Sequence, residues 1–169
     1  MIDISRELLE RKLSLRINVI ELLAKKYKTD GKRVFNLLAK TDVLDIVEES
    51  YDVLHTVGNE YLLKWVEDAL KSRKIDINDI LHHYIEANNM SGKDMDKINQ
   101  IEFLIRLSIP KIILEINKRL NISVNEAMKQ FYNSETYSTL TDIETDLWTR
   151  SYLYIVDEFL IENNLFISK

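Results

Sequence analysis

Residues 94–120 read DMDKINQIEFLIRLSIPKIILEINKRL. Ile98, Ile101, Ile105, Ile109, Ile112 and Ile116 recur at spacings of three and four. A helix turns once every 3.6 residues, so this spacing gathers them on one face, whereas a strand would scatter them. The stretch therefore predicts one long amphipathic helix, from Asp94 to about Leu120. Pro110 sits inside it and should kink or split it, because the ring has no N–H and blocks the bond to the carbonyl four residues back.

The same period continues on both sides. Downstream, Ser123-x-x-Glu126 is a capping box that opens a helix to Asn133. A short helical piece follows at Thr136 to Ile143. A closing helix spans Ser151 to Asn163, with Tyr152, Ile155, Val156, Phe159 and Leu160 inward. Upstream, Asn88-Asn89-Met90-Ser91-Gly92 is the strongest break in the chain. Before it, Asp76 caps a helix carrying Ile77, Ile80, Leu81, Tyr84 and Ile85. The first long helix runs from Ser5 to Lys28, with a stripe wide enough for burial on more than one side. Helices at Lys32 to Ala39 and Asp42 to Glu49 follow, the latter with Thr41 as its N-cap. Tyr51 to Thr56 reads as a connector. Gly58 to Lys71 closes the first half, with Tyr61, Leu62, Trp65, Val66, Ala69 and Leu70 inward.

Composition agrees. Of 169 residues, only three are Gly and one is Pro, too few for the turns of a β-rich fold, while apolar residues make up 46% and charged residues 30%. There is no Cys, which excludes disulfides, thiolate zinc sites and a Cys nucleophile. The charged N-terminal stretch, Met1 to Arg11, lacks the apolar run of a signal peptide. No segment approaches a membrane span. These features predict a cytoplasmic protein. The formal net charge is −5. Residues 1–74 carry 14 Lys/Arg against 13 Asp/Glu, a balance of +1. Residues 75–169 carry 9 against 15, a balance of −6. Neither half has the basic footprint of a nucleic-acid binder, and the acidic half suits a basic surface.

Both halves run long helix, short helix, short helix, connector, closing helix. A gap-free shift of 93 residues lays Lys25 on Lys118, Lys26 on Arg119, Asp42 on Glu135, Leu54 on Leu147, Thr56 on Thr149 and Tyr61 on Tyr154. It also lays Leu62-Leu63 on Ile155-Val156 and Val66 on Phe159. The expected fold is all-α, with about eight to ten helices in two similar units derived by internal duplication. The units are 1–74 and 93–169, with a bridging helix and linker at 75–92.

The stretch Tyr51-Asp52-Val53-Leu54-His55-Thr56, followed by Gly58-x-Glu60-Tyr61, resembles the bacterial family named domain of unknown function 3791. So does Gly31-Lys32-x-Val34-Phe35-x-Leu37-Leu38. The resemblance covers roughly Ser5 to Lys71. The second half resembles a variant of the pattern, Tyr137-x-x-Leu140-x-Asp142-x-Glu144-Thr145-x-Leu147-Trp148, in which Trp replaces His and the Gly-x-Glu-Tyr portion is lost. Two units in one chain depart from the single-unit members. The family brings no established catalytic residues. Its members are often encoded beside domain of unknown function 3990, which is similar to ADP-ribosyltransferases. The resemblance thus implies a partner or neutraliser of such an enzyme, as in a toxin–antitoxin pair.

Each candidate site has a bland alternative. Thr56 and Thr149 precede helices, where a hydroxyl can cap free amides, and Tyr51, Leu54, Leu147 and Trp148 suit a connector docked on a core. The functional alternative makes His55 and Trp148 exposed partner contacts. His82-His83 with Glu86 has the spacing of metal ligands on a helix, but no third ligand is visible, so no metal is expected. No nucleophile–base pair, nucleophile elbow or phosphate-binding loop stands out, so no catalytic residue and no cofactor is expected. Tyr132, Tyr137, Trp148, Tyr152 and Tyr154 fall in the acidic half, where aromatics amid carboxylates can form a hot-spot patch. The expected partner contacts are His55, Tyr137, Glu144, Asp146, Trp148 and Tyr152. The functional expectation is a non-enzymatic protein-binding module, the neutralising partner of an ADP-ribosyltransferase-like protein encoded nearby. One alternative is a structural protein that self-associates into homo-oligomers. Another is a small-ligand sensor with a pocket between the units.

Overall fold

The computed structural model describes residues 4–77 and 92–165. Helices account for the regular structure among the described residues, and no strand occurs there. The fold is all-α. The chain divides into two compact units, Met1–Ala87 and Asn88–Lys169. The expected helix at Asp76 to Asn88 lies almost wholly outside the described residues.

In the first unit, α1 spans Ile4–Lys26, α2 Gly31–Leu38, α3 Val43–Glu49, α4 Tyr51–Leu54 and α5 Asn59–Ser72. Helix α1 is central and packs on α2, α3 and α5. Its buried residues, among them Leu13, Leu15, Ile17, Val19, Ile20 and Leu23, cover more than half its circumference, as a central helix requires. The stretch expected to be a bare connector holds the short helix α4, with Tyr51 and Leu54 buried. Thr41 does not sit at the N-cap position of α3, which is Asp42. Thr41 still satisfies a free amide from one residue earlier: its hydroxyl accepts from Val43 N at 3.2 Å and donates to Leu38 O at 2.7 Å.

In the second unit, α6 spans Gly92–Leu120, α7 Val124–Tyr132, α8 Glu135–Thr141 and α9 Tyr152–Glu162, with a 3₁₀ turn at Leu147–Thr149. Helix α6 packs on α7, α8, α9 and the 3₁₀ turn. It runs through Pro110 without splitting. The lost bond and ring clash cost about 3 kcal/mol or more. Ile105, Ile109, Ile112, Ile113 and Ile116 are all buried around the proline, each contributing about 1.5–3 kcal/mol, so packing outweighs the defect.

The two units share local detail at an offset of 93. Helices α2 and α7 start at 31 and 124, and α5 and α9 at 59 and 152; α3 and α8 depart by one residue, and α4 and the 3₁₀ turn by three. The turns that end α1 and α6 place Lys28 (φ 49°) and Asn121 (φ 52°) in the left-handed region. Each turn closes the same six-residue loop: Thr29 N donates to Ala24 O at 2.9 Å and Ile122 N to Asn117 O at 3.3 Å. Asp30 and Ser123 cap the following helices, accepting from Arg33 N at 2.8 Å and Glu126 N at 3.1 Å. Only that arm of the expected capping box is seen; the Glu126 carboxylate accepts from Gln130 Nε2 at 3.0 Å. Core positions correspond as well: Ile20 and Ile113, Leu23 and Ile116, Leu38 and Phe131, Leu44 and Tyr137, Leu62 and Ile155, Val66 and Phe159 are buried pairs. Lys26 binds Glu67 of α5 at 2.5 Å, and Arg119, 93 residues on, binds Asp157 of α9 at 2.5 Å. Each ion pair ties the end of the unit's first helix to its closing helix.

Candidate functional site

The connector and the first turn of the closing helix carry exposed apolar side chains in each unit. Helix α5 buries Leu62, Val66 and Leu70, a stripe four residues apart. Tyr61, one residue out of phase with that stripe, is turned outward and is 57% exposed, against the expectation that it faces inward. Val53 of α4 is 65% exposed. His55, at the end of α4, is exposed and stacks on Tyr51, with ring centroids 4.4 Å apart and planes 6° apart. Its Nδ1 lies 2.6 Å from the Tyr51 carbonyl. A carbonyl only accepts, so Nδ1 carries a proton and donates it to this bond. Thr56 does not cap α5: its hydroxyl donates back to Val53 O at 2.8 Å. From 41 to 63 the chain has six acidic residues and no Lys or Arg. Two are engaged, Asp42 by Arg73 at 2.5 Å and Glu48 by Arg16 at 3.0 Å. The bond from Arg73 holds the Asp42 carboxyl below its usual range. Asp45, Glu49, Asp52 and Glu60 are exposed around Val53 and Tyr61 in the sequence.

The second unit repeats the pattern. Thr149 donates to Asp146 O at 2.7 Å, the counterpart of the Thr56 bond and equally not a cap. Ser151 is the cap, accepting from Tyr154 N at 3.2 Å. Tyr154, the counterpart of Tyr61, is 47% exposed. Arg150 lies 5.8 Å from its ring centre. A hydrogen bond to Glu158 raises the Tyr154 hydroxyl above its ordinary pKa. Tyr152 and Leu153 are exposed beside it, so Tyr152 does not belong to the core as expected. Residues 130–149 contain four acidic residues and no Lys or Arg. Glu144 and Asp146 are exposed.

Two of the expected partner contacts are placed differently. Tyr137 is 1% exposed and packs against Phe131 and Tyr132, with centroids 5.7 and 4.7 Å away, so it is core. Tyr132 is core too. Trp148 is half-buried, and its Nε1 is enclosed by protein without an acceptor among the described residues. Its donor end thus points inward, leaving only part of the ring available to a partner. His55, Glu144, Asp146 and Tyr152 are at the surface. Val53, Tyr61, Leu153 and Tyr154 complete the two ridges. The phase of each closing-helix stripe marks Tyr61 and Tyr154 as outward; nothing in the sequence marks Val53.

His82, His83 and Glu86 lie outside the described residues. Among the described residues no group of three His, Asp or Glu side chains is arranged to hold a metal. No helix there is long and apolar enough to cross a membrane.

The geometry defines an all-α protein of two compact units, each with an exposed tyrosine in the first turn of its closing helix, next to an acidic connector in the sequence. Residues 15–73, within the first unit, match the family described as "Protein of unknown function (DUF3791)". The match spans α2 to α5 and ends at Arg73, the partner of Asp42. No curated protein and no solved structure matches the chain.

Proposed function

We propose that this chain is a bacterial, cytoplasmic protein-binding module built from two copies of one helical unit, and that it docks on a basic partner through its connector ridges. The common offset of 93 in helix starts, left-handed turns, caps and core positions supports the duplication. The observation that carries the binding reading is the exposure of Val53, Tyr61, Leu153 and Tyr154 on stretches free of Lys and Arg apart from Arg150. Exposed aromatics on well-formed helices contribute little to folding and are the side chains that anchor protein interfaces. Carboxylates around them steer a basic surface and disfavour an acidic one. The resemblance to a family often encoded beside ADP-ribosyltransferase-like proteins supports such a protein as the partner. The chain then acts as its neutraliser, by steric occlusion and without chemistry of its own. Co-expression with the neighbouring ADP-ribosyltransferase-like gene product and purification through a tag on one chain test this. A stable complex is expected; no complex at about 10 µM of each protein overturns the proposal.

A further inference from the structure

On the side away from its core, helix α6 carries an exposed apolar cluster. The core face is Ile101, Ile105, Ile109, Ile112 and Ile116, all buried. At 100° per residue, the opposite side carries Asp96, Gln100, Phe103, Leu107, Lys111, Leu114 and Lys118, spaced four, three, four, four, three and four apart. That spacing is an 11-residue repeat, 96 to 107 to 118, which keeps these positions in one line along a helix at about 3.67 residues per turn. Phe103 and Leu107, with Leu104 beside them, are 49%, 53% and 50% exposed, and Leu114 is half-buried. Arg106 leans on the Phe103 ring at 5.5 Å but leaves it half open.

We propose that this face pairs with the same face of a second copy of the chain, with the two α6 helices antiparallel and crossing at Leu107. The charges select this occupant and this direction. Asp96 stands 11 residues before Leu107 and Lys118 stands 11 after it, each about 16 Å from the crossing point. Antiparallel pairing sets Asp96 of each copy against Lys118 of the other, at both ends of the seam. Parallel pairing would set like charges together at both ends. Neither side chain forms an ion pair among the described residues. The two-fold axis through Leu107 makes the contact self-complementary and closed at two copies. Its residues are not those proposed for partner docking, so separate variants distinguish self-association from partner docking.

Sedimentation equilibrium of the full chain at about 1–200 µM tests the pairing. The expected result is a concentration-dependent rise from the 20.0 kDa monomer mass to twice that value. Leu107→Glu abolishes the rise while leaving helicity and the unfolding midpoint unchanged, because Leu107 is outside the core. Asp96→Lys weakens association about tenfold, since both symmetric pairs become repulsive, and Asp96→Lys combined with Lys118→Asp restores it. The chain has no Cys, so Leu107→Cys introduces a single thiol on the axis. It is expected to form a disulfide-linked dimer on mild oxidation, whereas Val53→Cys does not. A monomer at all concentrations overturns the proposal. So does a dimer that Leu107→Glu leaves intact. A dimer sensitive to Leu107→Glu but indifferent to Asp96→Lys overturns the antiparallel register.

Discussion

Replacing Glu162 tests how the second unit is held together. Helix α8 has only seven residues, too few to persist by itself, and its N-terminal amides need acceptors. Ser134 accepts from Tyr137 N at 3.0 Å. The other two come from a distance: Glu162, at the end of α9, accepts from Glu135 N at 2.8 Å and Thr136 N at 2.9 Å, and also from the Thr136 hydroxyl at 2.7 Å. Glu162→Ala removes a capping acceptor, worth about 1 kcal/mol. It also strands the amide and hydroxyl of Thr136, a buried residue, which adds about 1–3 kcal/mol. Water reaches the Glu135 side of the cap and lowers the total, so about 2 kcal/mol is expected. For a unit of this size that shifts the unfolding midpoint by about 8–16 °C. Glu162→Gln keeps one acceptor oxygen and should lose about half as much. The assay is thermal unfolding by circular dichroism, followed on the second unit through Trp148 fluorescence. If Thr136→Val already lacks the hydroxyl, adding Glu162→Ala should cost less than it does in the wild type. A midpoint shift under about 2 °C for Glu162→Ala would refute the reasoning.

Other perturbations follow from single contacts. Burial, and then the hydrogen bond to Glu67 at 2.9 Å, push the Tyr27 hydroxyl well above its ordinary pKa. A raised pKa gives stability that is complete below the unfolded value, about 10, and is lost as pH rises beyond it. Alkaline unfolding above pH about 10 should therefore be blunted in Tyr27→Phe, as read by circular dichroism against pH. The Asp42 carboxyl is shifted the other way by Arg73, so its contribution is present above about pH 3.9 and fades as pH falls through the folded value. Arg73→Gln should unfold earlier than wild type near neutrality and converge with it in acid. Phe159 is fully buried with its ring 6.1 Å from that of Phe131, so Phe159→Ala opens a core cavity and should cost about 3–5 kcal/mol in urea titration. Trp148→Phe removes an enclosed N–H that has no acceptor among the described residues; its stability should change by less than about 1 kcal/mol or increase.

Much of the fold was legible because helical period is a strong signal where a helix has one buried stripe. Ile101, Ile105, Ile109, Ile112 and Ile116 of α6 are buried as their spacing requires, while Ile98 is half-buried. The resemblance at Gly31 to Tyr61 agrees with the family match over residues 15–73. What the sequence hid was phase and partnership. Tyr61, Tyr137 and Tyr152 are the same residue type in similar neighbourhoods, yet one is core and two are exposed. Only the position of each relative to its helix stripe separates them. Thr56 and Thr149 sit where caps are found, but the backbone of a tight turn offers each a carbonyl three residues back, and they take it. Glu162 reaches Thr136 across 26 residues, a pairing no local pattern encodes. Of the two outcomes expected at Pro110, a kink or a split, the split does not occur: isoleucines are buried on both sides of it and the helix is continuous.

The connector ridges are the centre of the functional account, and they can be tested without disturbing the core. Calorimetric titration of the neighbouring ADP-ribosyltransferase-like protein into wild-type chain, and into a variant carrying Val53→Glu, Tyr61→Glu and Tyr154→Glu, measures their role directly. The account predicts binding at about 1 µM or tighter for the wild type, weakened at least tenfold in a variant whose unfolding midpoint is unchanged. Equal affinity for both proteins would contradict it.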